Sequence, residues 1–502
     1  MPRASEVARV VAAFLLTLRP VAAQCPDGSP PPCGRLVHPA PPAANSVAVL
    51  YFDARDTADV YLADGLTEDV ATLLGNVSSV QVKSPGAVRH AQKATPQDLT
   101  VIARALGVRY LVDGTVRRAG GRLRISARLV VAGTSVSSWG ELFDRAPEEL
   151  LALPAVIAGE VATRVGGPAL SAETGALGTL RTRSPAANDH YLRGNFFLAL
   201  RSPESTARAL GEYREAERLD SGFAAAIGRA AYAYAIARSN YFGLPEAPIE
   251  SLAVRGLVVA DRALRRDSTS SDAWMARGFL LAYANPRTLE GPLEAFQRAI
   301  ALDPKNAEAH HQYAQVLNWL MRHDDADREL HLALALDPGR AISVSDLGWW
   351  THVRDNALAV ALADSAVALD AALVLVRARR AVARLRAGDV RGAREDAEFA
   401  NRLQPGHILL ENILAVVLAR AGDTTQARAL IAHWPGRTDN AFIWAALIAV
   451  GDTTAALDRM ERASPSPELW AALHRPEFDT LHGNPRYDRL LVVLRPPEAV
   501  GP

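Results

Sequence analysis

The chain has 502 residues, 49% of them hydrophobic and 22% charged, and its 55 basic and 55 acidic side chains give a formal net charge of zero. That length exceeds one ordinary hydrophobic core and calls for two or more domains, and the composition is that of a folded chain. Balanced charge speaks against a general nucleic-acid binder, which needs a basic excess to displace condensed counterions. Lysine is scarce (Lys83, Lys93 and Lys305), an arginine bias to which no function is attached.

Residues 1–23 read as a secretory signal. Arg3 and Arg9 flank a short basic region, Val10 to Leu18 is apolar, and Val21-Ala22-Ala23 supplies small residues before a cut ahead of Gln24. The apolar stretch is too short for a comfortable membrane span. If the segment is retained, it becomes a membrane tether. A lipid anchor at Cys25 fits poorly, because Gln24 precedes it. Residues 24–45 form a proline-rich, extended tether. Its Cys25 and Cys33, the chain's two cysteines, are placed to close a small disulfide loop in an oxidising compartment. The expected location is therefore the periplasm or cell envelope.

A folded domain is expected over 46–168. Ser46 to Asp53 carries the apolar run of a buried strand, and Tyr61 to Leu74 has its leucines and Val70 at helical spacing. Asp64, Glu68 and Asp69 open that helix, where carboxylates meet the positive end of the dipole. Val80 to Ser84 is a second strand. Pro96 to Leu106 is a helix with Thr95 as N-cap and Gly107 as its stop. The period then changes to two: Tyr110 to Arg117, a Gly120-Gly121 turn, Arg122 to Val131 and Ser135 to Asp144 make a meander. In the middle strand Arg122, Arg124 and Arg128 share one face, and Leu123, Ile125 and Leu129 the other. A helix from Glu148 to Val165 closes an α+β domain built on a mixed sheet.

Four blocks in this region, SVAVLYFD, YLADGLTEDVATLL, ARALGVRYLVDGTVRRAGGRLRISARLV and SSWGELFDR, resemble the TolB amino-terminal-like domain of bacteria over about Ser46 to Gly167. In that family the domain is often fused to class III cyclase, kinase or winged-helix modules and is commonly followed by tetratricopeptide repeats. This sequence shows no glycine-rich phosphate loop and no length for a kinase or cyclase domain. The resemblance therefore implies the sensory or scaffolding half of such proteins.

After a hinge at 169–186, residues 187–495 read as an all-α solenoid. Leu302-Asp303-Pro304 returns as Leu336-Asp337-Pro338, then as Leu369-Asp370 and Leu403-Gln404-Pro405, in steps of 34, 33 and 34 residues. That period resembles the tetratricopeptide repeat, a helix hairpin that stacks into a superhelix. About seven units are expected, with second helices ending near Leu219, Arg266, Leu302, Leu336, Leu369, Leu403 and Trp434. A degenerate eighth pair runs through Met460 and a capping helix follows. Small residues, among them Gly194, Gly278, Ala314 and Gly348, fall where helices must cross closely. Tyr241 to Pro248 reads as an inserted loop.

No HExxH, GxSxG, GxxxxGK[ST], EF-hand or paired CxxC motif occurs, so neither catalytic residues, metal nor cofactor is expected. Adjacent His310 and His311 point a quarter turn apart on a helix and do not converge on one ion. The inward residues of the first helices are the expected partner groove: His311, Gln315, Asn318 and Trp319, then Ser345, Trp349 and His352, then Arg379 and Arg386, then Asn412 and Arg420. Trp319 and Trp349 offer stiff contact area, or else pack against the neighbouring repeat. On this reading the chain is a non-enzymatic scaffold that binds a peptide or protein and no nucleic acid. Trp349→Ala or Arg386→Ala then weakens the partner and spares the fold. The alternative is a sensor whose Arg122, Arg124 and Arg128 face an anionic small molecule, against the plainer reading of a solvated sheet face.

Overall fold

The computed structural model describes residues 41–95, 98–134, 136–166, 181–284, 289–351, 355–434, 440–463, 466–497 and 499. The signal segment, Cys25 and Cys33, Pro96, most of the hinge and His352 lie outside the described residues.

Six strands form one mixed sheet: β1 (Ser46–Val49), β2 (Asp53–Ala54), β3 (Gln81–Val82), β4 (Tyr110–Ala119), β5 (Arg122–Val131) and β6 (Val136–Arg145). Their order is β3-β1-β4-β5-β6, with β2 also pairing with β4. β1 runs parallel to β3 and β4, and the last three strands are an antiparallel meander. Four helices pack on it: α1 (Val60–Gly75), α2 (Pro85–Ala94), α3 (Leu99–Leu106) and α4 (Leu153–Gly166). Strand alternation divides the core. Val47 and Val49 join Val70, Leu74, Ile157 and Val161 from α1 and α4, whereas Ala48 and Leu50 join Val88, Ile102 and Leu106 from α2 and α3.

Two local expectations are corrected. The stretch after β3 holds a further helix, α2, capped by Ser84 and started by Pro85. Consequently Thr95 ends α2, and the next helix is capped instead by Asp98, whose carboxylate accepts the N–H groups of Thr100 and Val101 at 3.0 Å each. Gly107 stops that helix at φ 61°. Because α1 begins at Val60, Glu68 and Asp69 lie well inside it, beyond the reach of the dipole.

From Pro185 onward the chain folds into helix hairpins. The pairs are α5 (Pro185–Ala199) with α6 (Pro203–Leu219), α7 (Ala224–Ser239) with α8 (Ile249–Arg266), α9 (Ser271–Ala284) with α10 (Glu290–Leu302), and α11 (Ala307–Trp319) with α12 (His323–Leu336). They continue as α13 (Ala341–Thr351) with α14 (Asn356–Leu369), α15 (Val374–Arg386) with α16 (Val390–Leu403), α17 (Ile408–Arg420) with α18 (Thr424–Ala432), and α19 (Ala441–Ala449) with α20 (Thr453–Arg462). Two short helices, α21 (Pro467–Ala472) and α22 (Pro485–Val493), end the array.

The repeated Leu-Asp is a helix stop. Asp220, Asp267, Asp303, Asp337, Asp370 and Gln404 all leave their helices at φ between −148° and −134°. In each, the N–H still bonds the carbonyl four residues back, which belongs to a buried alanine every time: Ala216, Ala263, Ala299, Ala333, Ala366 and Ala400. The carboxylates of Asp220, Asp267, Asp303 and Asp370 then accept a backbone N–H two residues on, at 2.9–3.1 Å, which starts the turn. The close crossings are real: a Cβ on Gly194 would meet the Tyr213 ring, and one on Gly348 would lie 2.8 Å from Leu362 Cβ.

The sheet domain and the hairpins belong to one compact unit, Ala43–Pro502. α1 packs on α5, with Gly65 against Leu192. Tyr61 donates its hydroxyl to Asp189 at 2.6 Å, Arg181 donates to Asp69 at 2.8 Å, and Lys305 Nζ donates to the Gly75 carbonyl at 2.6 Å. Backbone meets backbone where Gly86 touches Gly339. Farther along, α21 packs on α11, and the Tyr241 hydroxyl donates to Glu468 at 2.7 Å across 227 residues.

Candidate functional site

Between the sheet domain and the first helices of the hairpins lies a cleft of about 630 Å³. α1 and α2 supply one wall, with Asp64, Glu68 and Arg89, and the hairpins supply the other, with Arg201, Arg229, Tyr232, Glu308 and Arg340. On the sheet-domain wall one guanidinium serves two carboxylates. Arg89 stands 3.1 Å from Asp64 and 3.7 Å from Glu68, and lies over the Tyr51 ring at 3.6 Å. Burial raises the pKa of both carboxylates, with Arg89 partly opposing it.

On the hairpin wall two guanidinia surround one carboxylate, with Asp272, Asp337 and Asp370 also in the lining. Glu308 is bonded to Arg340, lies 3.6 Å from Arg201, and also accepts from Tyr232 and Gln312. Burial opposes its ionisation, but Arg340, His311 and Arg201 outweigh it and hold the pKa well below the ordinary range. Arg229 donates to Asn195 Oδ1 at 3.2 Å, lies over the Tyr232 ring, and makes no ion pair among the described residues. Behind Glu308 is a buried network in which His311 Nε2 is 2.7 Å from Asp346 Oδ2, and Arg379 pairs with the other Asp346 oxygen.

Five of the groove residues expected from sequence, Gln315, Asn318, Trp319, Trp349 and Arg379, line a second, smaller cavity of about 80 Å³. Their surroundings decide between the readings, and Trp319 follows the second, packing against the neighbouring repeat. Trp319 is a core residue, 5% exposed, stacked on Phe279 and edge-on to Tyr283. His311 is 2% exposed, committed to Asp346, and Arg379 is likewise committed. Arg386 holds Glu477 with two hydrogen bonds of 2.7 Å and lies over Trp349, so it braces the C-terminal cap against the array. Removing Arg386 therefore tests the fold, contrary to the sequence-based expectation. Ser345 and Asn412 are buried, and their side chains find no hydrogen-bond partner among the described residues; Arg420 is exposed on the end of α17. The reason is long-range. The inserted segment at Tyr241 to Pro248 folds inward, with Tyr241 on Glu468 and Phe242 edge-on to His407, so the array covers part of its own inner face. No local pattern encodes contacts across 227 residues, although two large aromatics in a loop were a usable signal.

The arginine row of β5 carries paired charge. Arg122 and Arg124 bond Asp144 at 2.5 and 3.1 Å, and Arg128 bonds Asp113 at 2.9 Å. These cross-strand neighbours cancel the free positive face that an anion would need. Among the described residues there is no group of three His, Cys, Asp or Glu placed to hold a metal, and no helix long and apolar enough to cross a membrane.

The sequence matches no family profile. It is similar to a putative adenylate cyclase 3 of Rhizobium meliloti (strain 1021), 28% identical over 288 residues, which is 57% of this chain and 42% of the relative. The chain thus spans less than half the length of that curated relative. Among solved structures it is similar to PilF of Pseudomonas aeruginosa (TM-score 0.31, 20% identity, 43% of this chain and 98% of that one). Yeast Tom70 is also similar (TM-score 0.37, 16% identity, 57% and 67%), as is the Cut9–Hcn1 assembly (TM-score 0.44, 14% identity, 68% and 63%). At those scores the architecture rests on the hairpins of this chain itself.

Proposed function

We propose that this chain is a non-enzymatic binding scaffold, exported to the cell envelope, in which the sheet domain and the hairpin array together hold a segment of a protein partner. The observation that carries this reading is the 630 Å³ cleft, because both domains build it and line it with charged and hydrogen-bonding side chains of both signs. A cleft with charged, hydrogen-bonding walls suits an extended polar segment better than a purely apolar one. The tetratricopeptide character of the array and the TolB-like blocks of the sheet domain agree with a scaffolding role, as does the signal pattern of residues 1–23 with export. The test is Arg229→Met, which removes a cleft charge that forms no ion pair among the described residues. A partner recovered with wild-type protein from native envelopes is lost with R229M at unchanged melting temperature. Retention at wild-type affinity refutes the cleft as the site.

The likeness to a putative adenylate cyclase favours a second reading, a regulatory component of a signalling system. In that case the ligand is a small anion, and the cleft rather than the paired β5 row receives it. A thermal-shift screen of nucleotides and sugar phosphates separates the two, since a ligand specific to the folded state raises its melting point.

A further inference from the structure

The smaller cavity holds charges and donors that the fold itself leaves unmatched. Arg475, in the turn after α21, lines it and lies over Trp349 at 4.7 Å and Phe442 at 5.7 Å, with no ion pair among the described residues. Its neighbour across the same indole, Arg386, is satisfied by Glu477. Asn440, 1% exposed, also lines the cavity; its Oδ1 accepts from Phe442 and Ile443 to cap α19, while Nδ2 finds no acceptor among the described residues. One of the two lining carboxylates, Glu468, takes the Tyr241 hydroxyl and forms no ion pair among the described residues. Of the lining charges, Arg379 is taken up by Asp346, which leaves Arg475 and Glu468 outside any ion pair among the described residues. Burial and the nearby Arg386 depress Arg475 to about 10, with Glu477 and Glu468 partly opposing them. Buried donors without acceptors are rare in native proteins and call for an explanation.

We propose that this cavity is a carboxylate-binding pocket, in which the Arg475 guanidinium and Asn440 Nδ2 hold a small planar monoanion against the indole wall. A planar guanidinium fork matches the two oxygens of a carboxylate, and Glu468 in the same wall disfavours a dianion such as phosphate. About 80 Å³ is room for several waters at ~10–15 Å³ each by this measure, enough for a carboxylate head and too little for a nucleotide. The carboxylate belongs either to a free small acid or to a chain end, and the site is separate from the cleft around Arg229.

The pocket is tested on the full chain by tryptophan emission, since Trp319, Trp349 and Trp350 all line it. Titrants are acetate, inorganic phosphate, N-acetyl-trialanine and N-acetyl-trialanine amide at matched ionic strength. We expect a saturable change with acetate, weakened by about tenfold or more in R475M, and little response to phosphate or the amide. A response to acetate and to the acid tripeptide assigns a chain end; a response to acetate alone assigns a free acid. Should R475M fail to fold, R475K keeps the charge, loses the fork and is expected to weaken acetate likewise. No saturable acetate response, an equal one with phosphate, or one unaltered in the folded variant overturns the proposal. The R229M result is independent of all these outcomes.

Discussion

Substituting Gly339 with alanine tests how the sheet domain is seated on the array. A Cβ at this position would fall on the carbonyl of Gly86 and lie 2.8 Å from Ala87 N, all backbone atoms that no rotamer change can move aside. Overpacking of side chains costs ~1–3 kcal/mol, and the upper part of that range applies where the obstacle is main chain. The cheaper escape is for the domains to part, which gives up the Tyr61–Asp189, Arg181–Asp69 and Lys305–Gly75 contacts nearby. We therefore expect G339A to weaken docking by about 2–3 kcal/mol, roughly 30- to 150-fold in the closed-to-open ratio, while the hairpins stay folded. Hydrogen exchange reads this directly: amides of α1 and α2 should exchange faster by a comparable factor, with α15 to α20 unchanged. Gly75→Ala is the control, because open space surrounds that position and alanine favours a helix by up to ~1 kcal/mol. Equal exchange in G339A and wild type would refute the Gly86–Gly339 contact as the seat of the domain.

Trp319→Ala should lower the unfolding free energy by about 3–5 kcal/mol in a denaturant titration, as loss of a buried aromatic does; a fully stable variant with altered binding would restore Trp319 to the groove. Arg386→Ala leaves the Glu477 carboxylate buried and unpaired and should cost about 3–5 kcal/mol, with R386A/E477Q recovering part of it. Burial depresses His407 to about 4, against 6.5 in the unfolded chain, so the unfolded state binds the proton first as pH falls. This contribution to stability is whole above pH 6.5 and fades as pH drops toward 4, by about 3 kcal/mol in total. His407→Phe should flatten the acid limb of the stability curve, and an unchanged limb would contradict a buried neutral imidazole.

The architecture was legible where local physics decides it. Alternation in β5 places Leu123, Ile125 and Leu129 inside, and the helix stop at Asp303, Asp337 and Asp370 recurs because a buried alanine four residues earlier recurs with it. Gly388, Gly422 and Gly451, all at φ of 84–90°, end first helices as their Gly-Asp turns suggest, and the aspartates that follow cap the next ones. What failed depended on distant partners. The boundary between Ser84-Pro85 as a strand end and as a helix start is decided by packing of Val88 on Leu50 and Ile102. Exposure of an inward face cannot be read from a repeat, since what covers Trp319 comes from α9 and what fixes Glu468 comes from a loop over two hundred residues earlier. The arginines of β5 were placed on the correct face, but their acidic neighbours sit on strands paired by register, which periodicity along one strand does not reveal.

The clasp of α21 on α11 has a consequence for how this array can change over time. Open-ended stacks gain or lose units freely, because each unit answers only to its neighbours. Here a hairpin added between α12 and α20 would carry Glu468 away from Tyr241, and one added beyond α15 would also carry Glu477 away from Arg386, so the number of units in that arc is locked by geometry, and lengthening or trimming it means rebuilding the clasp as well.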